Sequence, residues 1–323
     1  MKKIDVVALG ELLIDFINNG VSEQGNPLFE ANPGGAVCNV LAMLNKLGHK
    51  TAFIGKVGED FFGHQLKKVL DEINIDTTNL LMDKDVRTTL AFVANDESGE
   101  RSFSFYRNPG ADMMLRTDEV SEEAILSARM FHFGTLSMTH ELVREATKGA
   151  LKIAKDNHLL ISFDPNLRES LWDTLENAKT QVDYGLHYCD VLKISDNEIQ
   201  WFTGEEDYDK GIQILQDIYQ IPLILLSMGK DGSRAYYKDL RVEVPGFVQE
   251  STIETTGAGD TFFGSCLHFV LEKGLDDLKE SDLREMLTFA NAAASIITTR
   301  KGALKVMPSE NEISELVRAV VQI

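Results

Sequence analysis

The chain has 323 residues, 43% of them hydrophobic, and carries 32 basic against 51 acidic residues for a formal net charge of -19. This length and apolar content can bury a large core, and the acidity argues against nucleic acid or an anionic membrane as a partner. Cys38, Cys189 and Cys266 are odd in number and widely spaced, with no CxxC pair, which indicates neither a disulfide framework nor a zinc site. Asp5, Glu11 and Asp15 interrupt the apolar start MKKIDVVALGELLIDF, so a signal peptide is not expected. No run reaches the roughly 20 apolar residues of a membrane span, and a cytoplasmic location is expected.

Residues 4–9, IDVVAL, form an apolar run ending at Gly10, as a buried strand of a parallel sheet would. Asp15 follows at the mouth where ligands enter such sheets. Residues 17–32 read as irregular, and residues 32–39, NPGGAVCN, open a helix running to about Leu47. A cap at Asn32 with Pro33 in the first helical position would explain the helix start, but not the second glycine. Gly34 and Gly35 permit a ligand to approach the backbone closely. Asn39, one turn in, offers both a donor and an acceptor, a mixture that suits a neutral polyhydroxylated ligand.

A strand at 51–55, TAFIG, passes through the glycine-bounded turn at 58–63 into a helix after Phe61, and this turn reads as structural. Residues 87–107 then alternate in two runs, TTLAFVAND and ERSFSFYRN, joined at Glu97, Ser98 and Gly99, which is hairpin chemistry. With strands from the 12–31 region this hairpin would form a small sheet beside the site. Phe103 and Phe105, alternating to one face, would cover a ligand if the sheet is a lid; a solvated hairpin packed on its own domain is the alternative.

From Arg129 onward strands and helices alternate: MFHFG, a helix over 139–156, LLISFD, a helix near 175–187, VLKIS, a helix from Asn197 and IPLILLSMG. Repeated βα units imply a parallel sheet with right-handed crossovers and helices on both faces. Asp164 and Arg168 follow a strand, at the ligand edge. An inward Arg there would neutralise an anion, whereas a surface Arg in a turn is the alternative. Residues 233–247 read as short strands.

Residues 254–264, ETTGAGDTFFG, lead into an apolar run that ends at Gly274, so a loop turns into a helix. The first N–H groups of a helix lack partners and carry the positive end of its dipole, and small residues open that backbone to a charged ligand. An anion is expected over Gly257, Ala258 and Gly259. Asp260, in the first turn, would take a proton from a hydroxyl attacking a phosphoryl group. An ordinary helix start would also accommodate these residues. Residues 282–299 form an Ala-rich helix whose small residues around Asn291 allow close packing on an adenine, residues 299–303 form a loop with Gly302, and a capped helix starts at Ser309. Neither a P-loop string nor an early G-x-G-x-x-G occurs.

Together, GGAxxN at 34–39 and ETTGAGD at 254–260 resemble the two signatures of the ribokinase-like (PfkB) family of sugar and nucleoside kinases, and the resemblance covers nearly the whole chain. It implies one ribokinase-like α/β domain over residues 1–323: a central, mostly parallel sheet with helices on both faces, and a small β-sheet lid from about 12–31 and 87–111. It implies an ATP-dependent phosphotransferase with Asp260 as general base and Gly257, Ala258, Gly259 and Arg168 stabilising the transferred charge. Asp15, Gly34, Gly35, Asn39, Phe105, Arg107 and Asp164 would meet the sugar. Lys193, Ser195, Ser227, Gly229, Gly232, Asn291 and Gly302 would meet the nucleotide, and Glu198 would hold Mg²⁺ through water. An acidic protein can bind ATP through local N–H groups, Mg²⁺ and a few basic side chains.

Two positions depart from the family pattern. Ser195 replaces the Asn of its N-x-x-E element, and Glu254 replaces the first Asp of its closing signature, where Glu254 and Thr256 are candidates for a monovalent cation, K⁺. The implied partners are a small sugar, ATP and a second copy of the chain. The sugar most favoured is D-fructose, phosphorylated at the 6-position, with 2-keto-3-deoxygluconate as the alternative because Arg107 and Arg168 would suit an acidic sugar. A non-catalytic sugar sensor would be expected to have lost the base or the glycines, and both are present.

Overall fold

The computed structural model describes residues 2–95, 101–249 and 251–321. The hairpin turn expected at 97–99 and the side chain of Phe103 lie outside the described part. The chain runs β1 (Ile4–Leu9), β2 (Leu13–Val21), β3 (Pro27–Gly34), α1 (Ala36–Lys46), β4 (Thr51–Gly58), α2 (Phe61–Glu72), β5 (Asp76–Asp83), β6 (Leu90–Asn95), β7 (Arg101–Tyr106), α3 (Glu122–Ser127) and β8 (Ala128–Gly134). It continues α4 (Glu141–Asp156), β9 (Leu160–Asp164), α5 (Leu175–Leu186), β10 (Val191–Ser195), α6 (Asp196–Thr203), α7 (Tyr208–Tyr219), β11 (Leu223–Ser227), β12 (Ser233–Tyr237), β13 (Leu240–Val244), α8 (Ala258–Lys273), α9 (Glu280–Ile297) and α10 (Glu310–Val321).

Among the described residues, a nine-stranded sheet has the order β13-β12-β11-β10-β9-β8-β1-β4-β5. Its pairings are parallel except that β12 runs antiparallel to both β11 and β13. The inner strands are buried on both sides, as the apolar runs VLKIS and LILLS require. One core packs α1, α8 and α9 on one face of the sheet, and a second packs α4 and α5 on the other. The expected α/β architecture with helices on both faces is therefore present. Strand order reverses around β1, between β8 and β4, which puts a crevice at the carboxyl ends of the central strands. The three cysteines are buried and free, as their sequence context implies. No helix among the described residues is long and apolar enough to cross a membrane.

A second sheet has the order β3-β2-β6-β7, in which β2 and β6 run parallel while β3 and β7 flank them antiparallel. Residues 17–32, which read as irregular, are instead largely β-hairpin. A register shift between Asn18 and Val21 absorbs the polar, glycine-containing stretch, and Asn32 and Pro33 lie in β3 opposite Asp15 and Ile14. The cap of α1 is consequently Gly35, at φ 131°, a left-handed region that a β-carbon disfavours. Strand β5, on the sheet edge, carries no clear sequence signal; its residues DTTNLLMD lack sustained alternation.

Helix α8 is buried on nearly all sides, including Phe262, Phe263, Cys266 and Leu267, because it lies between α1 and α9 rather than on the surface. A β-carbon at Gly264 would come within 2.8 Å of Met43 Cβ and 3.0 Å of the Val40 carbonyl oxygen. This glycine lets α1 and α8 approach closely. Each begins at a positive-φ glycine, Gly35 or Gly257 at φ 76°.

Candidate active site

Two cavities open at the carboxyl edge of the large sheet. The first, about 300 Å³, is lined by residues from the small sheet and both glycine loops, among them Glu11, Asp15, Gly35, Asn39, Phe105, Arg168 and Asp260. The second, about 320 Å³, is lined by Ser227, Gly229, Gly232, Phe247, Ala258, Asn291 and Ala294, among others. Thr255 and Gly259 line both cavities. The loop before α8 is thus the wall at which they meet.

Asp260 is buried in the first turn of α8 and accepts a 2.7 Å hydrogen bond from Asn39 Nδ2. Burial pushes its carboxyl above the ordinary value, opposed by the Asn39 bond and the charges of Lys193 and Arg168. Of the three backbone N–H groups expected to form an anion site, that of Ala258 donates to Thr255 O at 3.2 Å. The N–H of Ala258 is thus engaged within the loop, while Gly257 and Gly259 line the first cavity. Lys193 Nζ lies 3.3 Å from where a Gly259 β-carbon would stand. Lys193, expected among the nucleotide contacts, lines the first cavity and not the second. Its burial opposes the charge, but Asp164 and Glu198 hold its pKa above the ordinary value.

Gly34 and Gly35 are both required by the protein itself: a β-carbon on Gly34 would overlap Asp15 Oδ2, and one on Gly35 would overlap the Glu11 carbonyl; Gly35 lines the first cavity, and Gly34, expected there too, does not. Glu11, which in the sequence only interrupts an apolar start, lies on the same wall. It is 2% exposed, and its Oε1 accepts from Ala36 N at 2.6 Å, at the start of α1. Desolvation pushes its carboxyl up to about 7. Its spacing before a Gly-Gly helix start was the available signal, and only the return of the hairpin brings the two together.

Several expected ligand residues are engaged elsewhere. Arg107 is buried, paired with Asp112 through Nε at 2.8 Å and Nη2 at 2.7 Å, and it also donates to Thr139 Oγ1 and the Leu136 carbonyl. It borders a cleft on the other side of Phe105, with Met113 and Ser170. Asp164 sits behind Lys193, 3.0 Å from Nζ, and is not on the first cavity's wall. Ser195 caps α6 and exchanges hydrogen bonds with Glu198, a capping box, so its hydroxyl is turned to the helix. Glu198 also accepts from Leu167 N, and despite desolvation Lys193 and these donors hold its pKa below the ordinary value. Asn291 borders the second cavity, but its amide accepts from Ser233 and donates to the carbonyls of Val244 and Pro245. The extra methylene of Glu254 carries Oε1 to Gly302 N at 2.7 Å, joining the two loops behind the wall, while Thr256 lines the first cavity.

Residues 3–310 match the pfkB family carbohydrate kinase model. Two plant proteins are similar along their length: probable fructokinase-2 of Arabidopsis thaliana, 40% identical over 98% of this chain and 97% of its own, and fructokinase-1 of Zea mays, 39% identical over 97% of each. The fructokinase from Xylella fastidiosa with bound ATP superposes with a TM-score of 0.89 at 30% identity, covering 99% of this chain and 100% of its own. That from Vibrio cholerae O395 with fructose, ADP and calcium gives 0.85 at 29%, covering 97% and 99%. The chain belongs to the pfkB family of carbohydrate kinases.

Breaking a buried ion pair by removing one partner costs about 3–5 kcal/mol. Arg107→Ala and Asp112→Ala are each expected to destabilise the protein by about that much, and the double variant by much less than their sum, in urea unfolding; additive losses would contradict the pairing. Glu11 gives a second test. Its pKa is near 4.5 when unfolded and about 7 when folded, so the native state holds the proton more tightly. Its stabilising contribution is full below 4.5 and is lost as pH rises through about 7. The melting temperature of Glu11→Gln, which keeps the acceptor for Ala36 N, should therefore gain on wild type as pH rises across this window. A pH-independent difference would count against this assignment.

Proposed function

We propose that this chain is an ATP-dependent fructokinase, transferring the γ-phosphoryl group of ATP to the 6-hydroxyl of D-fructose. The observation that carries the reading is the meeting of the two cavities at Thr255 and Gly259, with Asp260, next in the chain, on the wall of the first. The names of the similar proteins point to the same sugar. Fructose would occupy the cavity of Asp15, Gly35, Asn39 and Phe105, and the nucleotide that of Ser227, Gly229, Gly232 and Asn291.

In the reaction the sugar oxygen forms a bond to the γ-phosphorus, the bond from that phosphorus to the bridging oxygen of ADP breaks, and Asp260 takes the hydroxyl proton. Asn39 holds one carboxylate oxygen and so directs the other at the sugar. The N–H groups of Gly257 and Gly259, with Arg168 and Lys193, stabilise the charge on the transferring group. Glu198 would hold a hydrated Mg²⁺ only through water and through the lone pairs its oxygens keep beyond the bonds from Leu167 N and from Ser195 N and Oγ, so its fit is partial. That ion, when bound, neutralises phosphate charge. The fit for K⁺ at Glu254 and Thr256 is partial, since Glu254 Oε1 is spent on Gly302 N.

An acidic sugar is disfavoured because the Arg107 guanidinium is committed to Asp112. The intact Asp260 and glycine loop argue against a non-catalytic sensor. We read the whole chain as one catalytic domain working in the cytoplasm, with the small sheet as its lid. Phe29 and Tyr106, 40% and 67% exposed beside the Phe16 and Phe92 stack, would join two lids in a homodimer.

An ADP-release assay with MgATP across fructose, 2-keto-3-deoxygluconate, ribose and adenosine is expected to give the highest kcat/KM for fructose; preference for another acceptor would reassign the substrate. Asp260→Asn should lower kcat by about 10²–10⁴-fold with little change in KM, and near-normal turnover would sink the mechanism. Because the base must be ionised, wild-type kcat should fall on acidification through a pKa above the ordinary aspartate value of 3.8; activity unchanged down to that value would contradict it. Light scattering should give twice the chain mass, reduced to one by Tyr106→Glu, whereas a monomeric wild type would rule out the dimer.

A further inference from the structure

At the far end of α8 from Asp260, three side chains converge that the phosphoryl-transfer site does not use. His49 Nε2, from the loop between α1 and β4, lies 2.8 Å from His268 Nδ1, so the rings share a proton. Glu272 stands one helical turn beyond His268, on the same face of α8. One ligand atom from each of the three lies within 4.8 Å of the others. Behind His49, Nδ1 faces Asp5 Oδ2 at 3.8 Å, and Asp5 is itself fixed by Lys50 N and Arg129. A carboxylate on the outer nitrogen of an imidazole orients a ligating histidine.

We infer that His49, His268 and Glu272 form a site for a divalent transition-metal ion of the Zn²⁺ class. Two imidazoles and a carboxylate are a donor set that such ions take, with water completing the tetrahedron. The ion replaces the shared proton, which goes to solvent, and metal–nitrogen bonds of about 2.0–2.1 Å require the rings to part by roughly half an ångström. Glu272 is exposed and gives the ion a path from solvent. The bound ion ties the buried core of α8 to the loop preceding β4.

The test is titration of the tag-free, metal-free full-length chain with Co²⁺, without nucleotide or Mg²⁺. One equivalent should bind saturably with visible ligand-field absorption of low-coordinate cobalt, be displaced by Zn²⁺, and raise the melting temperature by about 2–4 °C. His268→Ala and Glu272→Gln should weaken binding at least about tenfold while retaining wild-type fructose turnover and cooperative melting, since neither touches the reacting groups. No saturable spectrum in wild type, or an unchanged spectrum and affinity in both variants, would overturn the proposal.

Discussion

The hydrogen bond from Asn39 to Asp260 joins the first turns of two helices that lie far apart in sequence, and most of the site's geometry follows from the packing that allows it. It forms only because Gly264 removes the side chain that would hold α1 and α8 apart. Both helices start at glycines in conformations that other residues resist, so their N-termini reach the same crevice with little side-chain bulk around them. A carboxylate at this depth would be costly if left unoriented. The amide of Asn39 fixes one of its oxygens, and the residue lines the first cavity.

Around that bond the site concentrates acid. Glu11, Asp15 and Asp260 line one cavity, with Asp164 and Glu198 just behind it, against Arg168 and Lys193. Desolvation is the largest influence on Glu11, Asp15 and Asp260, and it raises all three, with Asp15 reaching about 7. The carboxylates that remain charged are the ones given several donors: Glu198, held by two backbone N–H groups and a hydroxyl, is the clear case. The distribution of donors therefore decides how far each acid departs from its ordinary value, and in which direction.

What the sequence made legible was local. The glycine runs, Asp260 at a helix start, and the alternating strands and helices each carry their signal within a few residues, and they suffice for the α/β architecture and the meeting point of the two glycine loops. Residues whose side chains the protein itself uses were harder, whether the partner is near in sequence or far. Arg107 looks like a free cation until the turn containing Asp112 folds back on it. Ser195 resembles a nucleotide contact, yet the nearest use for its hydroxyl is its own helix terminus. Glu11 acquires its meaning only when the hairpin brings Ala36 N to it. The hairpin itself was obscured because its bulge sits among Asn and Gly residues that read as loop.

Strand β2 leaves the end of β1 with no helix between them, and it carries Asp15. The small sheet therefore cannot lift from the body without drawing that carboxylate away from Arg168 and letting water reach Asp260. Rehydration would return Asp260 toward an ordinary aspartate, a weaker base, so an uncovered enzyme is also a less reactive one. Coverage and base strength would then rise together.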